Sequence, residues 1–198
     1  MLAAGGTAPI ARLRRGAAAA LVAHRAAGTT TSMASLVTDT IDSLEQQIRA
    51  LVPLVRAGDL AGIHLEGPFL APERKGAHDV ALLRDPDPES VGRLIAAGGP
   101  ALKMITMAVE REHGEAATRR FVEAGVHVAF GHSDADDVTT ARSIEWGADV
   151  VTHLFNAMRP IHHREPGPIP VVLSDDRVMV ELICDGVHLA PVVAAMSI

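Results

Sequence analysis

Short apolar runs alternate with amphipathic stretches along most of this chain, and that alternation leaves few architectures open to it. Runs rich in β-branched and apolar residues occur at 29–37 (TTTSMASLV), 61–65 (AGIHL), 102–109 (LKMITMAV), 126–130 (VHVAF), 150–152 (VVT) and 178–183 (VMVELI). Between them, apolar residues recur at helical spacing: Ile41, Leu44, Ile48, Leu51, Val52 and Val55, then Val91, Leu94 and Ile95, then 115–124, then Val138, Ala141 and Ile144. A short helix is expected near 170–173. Punctuation agrees with this reading. Thr38-Asp39-Thr40 and Asp87-Pro88 are helix-start signals, and Gly58, Gly98-Gly99 and Gly125 are stops. Parallel neighbours need a crossover, usually a helix, so six β-α steps predict an α/β fold with a parallel sheet. A closed barrel of eight such units takes ~250 residues. The 198 residues therefore predict one domain, 1–198, of about six units, which as a TIM-type (β/α)8 barrel would be an incomplete one.

In a parallel sheet the carboxyl ends of the strands share one rim, where side chains distant in sequence become neighbours. Four of the predicted strands end in Glu66, His132, His153 and His188. A single His at a strand end is more often structural than a ligand; four strands ending this way point to chemistry. A carboxylate with two imidazoles is an open coordination set for a divalent ion, which acidifies a bound water to ~7 and polarises a carbonyl. The loop after His153 holds Asn156, Arg159, His162, His163, Arg164 and Glu165. Asn156, Arg164 and the amide of Ala157 could clasp an anion; Arg164 could equally pair with Glu165. In the long loop from Phe69 to about Pro86, Lys75 and His78 could reach over the rim. Asp134 is expected as a helix cap and Cys184 as a small buried strand residue.

With 18 basic and 24 acidic residues the net charge is −6, which argues against a nucleic-acid surface. No apolar run approaches the ~18 residues that span a bilayer. One cysteine excludes an internal disulfide framework and fits a reducing, cytoplasmic setting. The first 38 residues hold no Asp or Glu, with Arg12, Arg14, Arg15 and Arg25 among many Ala. A transit segment has that composition, but Leu13, Ala17, Ala20 and Leu21 also share one helical face. The expectation is a frayed or helical segment over 1–24, with residues 1–6 (MLAAGG) irregular.

The segments HLEGPFLAPERKGAHD at 64–79, GHSDA at 131–135, THLFNAMRPIHHREPG at 152–167 and DGVHL at 185–189 resemble the signature segments of N-acetylglucosamine-6-phosphate deacetylases. These are (β/α)8 barrels of the metal-dependent amidohydrolase superfamily, and the resemblance runs from about Arg25 to Leu189. It implies that Glu66, His132 and His153 hold a divalent metal, zinc or iron foremost, cobalt or manganese otherwise. It implies that Ala77 and His78, Asn156 and Ala157, Arg164 at the sugar phosphate, and the run Asp185, Gly186, Val187 and His188 contact the substrate. His188 would polarise the N-acetyl carbonyl. The implied reaction is hydrolysis of N-acetylglucosamine 6-phosphate to glucosamine 6-phosphate and acetate. The implied partners are a small sugar phosphate and, for the complete protein, a second copy of itself, with no nucleic acid or membrane.

Departures from the family pattern qualify this. The family's HxH-like segment on the first strand has no counterpart in 1–6. Its proton-handling aspartate falls after the segment matching His188, beyond Ile198, so no general base or acid of the family type is expected within the chain. The flanking β-sandwich is missing, and residues 108–110 read AVE where the family commonly has Pro in the middle. The alternative function is a catalytically silent, truncated remnant that binds metal or sugar phosphate. An amidohydrolase acting on a cyclic imide is a third reading, against which REPG and NAM argue.

Overall fold

The computed structural model describes residues 2–4 and 10–197. Its strands are β1 (Leu2–Ala4), β2 (Met33–Val37), β3 (Gly62–Glu66), β4 (Leu102–Met107), β5 (His127–Phe130), β6 (Ala148–Val151) and β7 (Met179–Val180). The helices are α1 (Ile10–Ala26), α2 (Ile41–Arg56), α3 (Pro88–Gly98), α4 (Gly114–Glu123), α5 (Asp137–Glu145), α6 (Pro168–Leu173) and α7 (Pro191–Ala195). All pairings are parallel and the strands lie side by side in sequence order, β1 to β7. This is a TIM-type barrel carried seven strands round. Among the described residues β7 does not pair back to β1.

The six expected strands are all present, and a seventh precedes them. Leu2–Ala4 pairs with Ala34, Ser35 and Leu36 of β2, where the sequence reads as irregular. Three residues are too few to show a period of two, so backbone pairing left no pattern to read. Met1 and residues 5–9 lie outside the described residues. β7 is shorter than its apolar run suggests, closing at Val180, so 185–188 does not end a strand.

Local chemistry fixes the helix ends. The Thr40 hydroxyl accepts from the Ser43 N–H to open α2, and the Asp87 carboxylate accepts from the Ser90 N–H to open α3. Ile41, Leu44, Ile48 and Leu51 form the buried face of α2, each contributing about 1.5–3 kcal/mol by leaving water. β3 is buried along its whole length, as a parallel strand covered on both faces must be. Leu36, Ile63, Leu65, Ile105 and Phe121 belong to the main core under α1–α4; Phe130, Val151, Leu154, Ile169 and Val172 form a second cluster toward α6. Register aligns the rim: Val37 pairs with Glu66, Glu66 with Thr106, and Phe130 with Val151. No described helix is long and apolar enough to cross a membrane.

Candidate metal centre

Glu66 is the last residue of β3, His132 follows β5 by two residues, and His153 follows β6 by two. Among the described residues these three form the one group of metal-capable side chains drawn together, with donor atoms within 4.8 Å of one another. The chain turns sharply at each site. Gly67 has φ +92°, and a Cβ there would stand 2.2 Å from Thr38 Oγ1, so only glycine lets the backbone leave Glu66 this way. His132 (φ +49°) and His153 (φ +36°) adopt the left-handed conformation without being glycine. Such residues cost about 1–3 kcal/mol each and concentrate at functional sites.

His132 Nε2 and His153 Nε2 stand 3.1 and 3.3 Å from Glu66 Oε1, and 3.0 Å from each other. His132 Nδ1 lies 2.8 Å from the Arg74 carbonyl oxygen. A carbonyl only accepts, so Nδ1 carries the proton and Nε2 presents a lone pair to the cluster. The His132 lone pair and the Glu66 carboxylate face one another at this range, which a cation between them would satisfy, and with His153 they make an N2O donor set that suits a divalent ion. The residues present therefore fit a metal. Burial pushes the Glu66 carboxyl up, and a cation beside it, whether a metal ion or a protonated imidazole, pulls it down. The buried Nδ1 of His153 has no partner, so nothing fixes its tautomer from behind.

The loop after β3 does close over the rim. His78 Nε2 is 3.9 Å from Glu66 Oε1, and its ring meets that of His132 edge-on at 4.7 Å. A Cβ on Gly76 would lie 3.0 Å from His132 Cε1, so the loop packs directly on that imidazole. Ala77 and Lys75 are exposed. The Asn156 amide donates to the carbonyls of His153 and Leu154, shaping its own turn, and Ala157 is left-handed at φ +52°.

The structure does not bring every expected residue to the cluster. Arg164 is exposed, with Nη1 2.7 Å from His163 Nε2 rather than paired with Glu165. Asp185, Gly186, Val187 and His188 form an exposed turn in which Asp185 accepts from the N–H groups of Val187 and His188, and binds His188 Nδ1 at 2.7 Å. The cap of α5 is Asp136, not Asp134. Cys184 is exposed rather than a buried strand residue, because β7 ends at Val180 and the chain leaves the sheet before reaching it.

Several residues at the site carried no signal when read singly. Asp134 Oδ1 takes hydrogen bonds of 2.8 Å from Arg74, and Oδ2 one of 3.0 Å from Arg159. Burial would raise its carboxyl, but these guanidinium contacts prevail and hold it below its ordinary value. Glu110 accepts from the Ser133 hydroxyl and the Asp134 N–H, each at 2.6 Å, and burial pushes its carboxyl up. Glu181, just past β7, is also raised, by burial first, with His153 opposing and Glu66 reinforcing. Beneath the rim, Ser35 Oγ, both nitrogens of His64, Thr106 Oγ1 and Thr152 Oγ1 join in a buried line with spacings of 2.7, 2.8 and 2.7 Å. Burial depresses the His64 imidazole to about 4, so it is neutral near pH 7. His64 and Glu66 share the alternation of one strand, a signal that could have linked them.

No protein-family model matches the chain. It is 37% identical over 166 residues to an N-acetylglucosamine-6-phosphate deacetylase of Lysinibacillus sphaericus, covering 82% of this chain and 43% of that one. It is 39% identical over 137 residues to an N-acetylgalactosamine-6-phosphate deacetylase of Escherichia coli, covering 69% of this chain and 36% of that one. The crystal structure of N-acetyl-D-glucosamine-6-phosphate deacetylase from Mycobacterium smegmatis superposes with a TM-score of 0.93 at 47% identity, over 99% of this chain and 52% of that one. A mutant of that enzyme, solved in complex with N-acetyl-D-glucosamine-6-phosphate, matches equally well. The chain spans about half the length of the relatives it matches.

Proposed function

We infer that this chain, homologous to part of the N-acetylglucosamine-6-phosphate deacetylases, carries the metal-holding strands of such an enzyme. The reaction is hydrolysis of the N-acetyl amide of N-acetylglucosamine 6-phosphate. Water adds its oxygen to the acyl carbon and a proton goes to the leaving nitrogen, giving acetate and glucosamine 6-phosphate. The observation that carries this reading is the convergence of Glu66, His132 and His153 from three strand ends, in a chain aligned over 99% of its length with a deacetylase.

Glu66, His132 and His153 hold the ion: zinc or iron first, cobalt or manganese as substitutes. Once bound, the ion supplies Lewis acidity for activating water and polarising the amide carbonyl. The chain's own groups do the rest. Arg74 fixes the His132 tautomer through its carbonyl, and second-layer contacts of that kind sustain affinity in metal sites. His78 and Ala77 close the loop over the sugar, while Asn156 and Ala157 set the turn beside it. Arg164 meets the phosphate with a planar, permanently charged fork. His188, in the run Asp185, Gly186, Val187 and His188, faces the N-acetyl carbonyl; with Nδ1–H given to Asp185, it can donate to that oxygen only as the imidazolium, which carries a second N–H at Nε2. We place the reaction in the cytoplasm, where an unpaired Cys184 is stable.

Arg164 is the specificity test. In a deacetylase spanning the whole barrel, Arg164→Ala should cost about 2–4 kcal/mol toward the phosphorylated sugar and little toward free N-acetylglucosamine. Equal losses on both would make Arg164 structural. N-acetylgalactosamine 6-phosphate belongs in the same assay, since one relative bears that name.

A second reading is a chain that binds metal and sugar phosphate without turnover. Among the described residues, the hydrogen bonds of Glu66, His132 and His153 include no second carboxylate to move protons. General acid–base help is worth ~10²–10⁴ in rate. Metal-loaded residues 1–198 that release acetate as fast as a longer relative would rule this reading out.

A further inference from the structure

The line Ser35–His64–Thr106–Thr152 has no part in the roles assigned above, yet it runs through β3 and lies against the residues that directly precede His132 and His153. His64 and Glu66 lie two residues apart on β3, so both side chains face the same side. Thr106, opposite Glu66 in the register, bonds to His64 on one side and to Thr152 on the other. Thr152 directly precedes His153. Gly131 directly precedes His132 and lies on the same pair: a Cβ there would stand 2.8 Å from Thr106 Cγ2 and 3.1 Å from Thr152 Cβ. All four side chains of the line are buried.

A neutral imidazole and a hydroxyl each give one proton and accept one, so the line can run head to tail with every member satisfied. Without the ring, Ser35 and Thr106 would each lose a buried partner, and a void would open between β2 and β4.

We propose that His64 is a positioning residue for the metal centre, its ring bridging Ser35 and Thr106 beneath the rim and so setting the spacing of Glu66, His132 and His153. This rests on reading those three residues as the ion's holders. His64 touches no substrate and need not titrate. It acts through the strands.

The test separates the two ends of the ring. In residues 1–198, His64→Leu removes both links. His64→Gln keeps a polar group near Nε2, facing Thr106, and His64→Asn keeps one near Nδ1, facing Ser35. Zinc affinity is measured by competition with a chromophoric chelator, and the melting temperature of the zinc-free protein is measured alongside. Affinity should fall about 10–100-fold in His64→Leu and His64→Asn, and His64→Gln should recover most of it. Thr152→Val should fall in the same range, and adding it to His64→Leu should cost little more. The zinc-free melting temperatures of His64→Asn and His64→Gln should drop alike, so stability cannot explain their different affinities. Equal affinity loss in those two, in step with melting temperature, would reduce His64 to a packing residue. Zinc affinity unchanged in His64→Leu would overturn the inference alone. An unsubstituted chain that binds no zinc would overturn the metal centre and this inference together.

Discussion

His132 has three commitments: a left-handed backbone, an Nδ1–H given to the Arg74 carbonyl, and an Nε2 aimed at Glu66. His153 has the first and last only. Both remain necessary, because two donors do not hold a divalent ion against water and chelators. Metal analysis of His132→Ala and His153→Ala should therefore show at least about a tenfold loss of retained ion in each. One equivalent surviving in both would dissolve the assignment. Glu66, His132 and His153 were legible in the sequence because each closes an apolar run and the rim gathers such ends. His64 was not, because a histidine inside an apolar strand looks like core until Ser35 and Thr106 arrive from other strands. His188 shows the rule misfiring: it counted as a strand end, but β7 closes at Val180 and the turn beyond binds itself.

At the scale of elements, the loops following β3, β4, β5 and β6 are stitched together through one segment. Asp134 receives Arg74 from the first and Arg159 from the last, while Glu110, after β4, holds Ser133 and the Asp134 backbone. The folded state favours the ionised Asp134 carboxylate, so its contribution is complete above the ordinary carboxylate pKa. It drains away as pH falls through the depressed value. Asp134→Asn should lower stability by about 1 kcal/mol at neutral pH, a modest figure because the clasp is partly solvated. Relative to wild type the deficit should shrink from about pH 4 downward. Melting temperatures from pH 7 to pH 3 would show it, and a constant deficit would exclude the clasp as the cause. Helices were easily read from sequence, since Thr40, Asp87 and the glycine stops act locally. The clasp was hidden because an aspartate shortly before a helix reads as its cap, and Asp136 does that work.

For the whole molecule, the described residues leave β1 and β7 each with a single sheet neighbour, and Met179, Val187, Val192 and Met196 are exposed toward the carboxyl end. Open strand edges beside apolar side chains invite pairing. Residues 1–198 should accordingly self-associate, with sedimentation velocity showing species larger than a monomer that grow with concentration. A sharp monomer at every concentration would show those edges to be protected. The α/β class and parallel order were readable because crossovers impose them; the seventh strand was not, since it exists through pairing rather than pattern. The sequence-ordered sheet has a further consequence. Among the described residues each strand pairs only with the one before and the one after, so no strand is inserted between partners from elsewhere in the chain. Such a sheet can be divided at any crossover into two contiguous pieces whose internal pairings stay intact. A barrel wound in this order is separable in principle into parts made as independent polypeptides and rejoined along two edges.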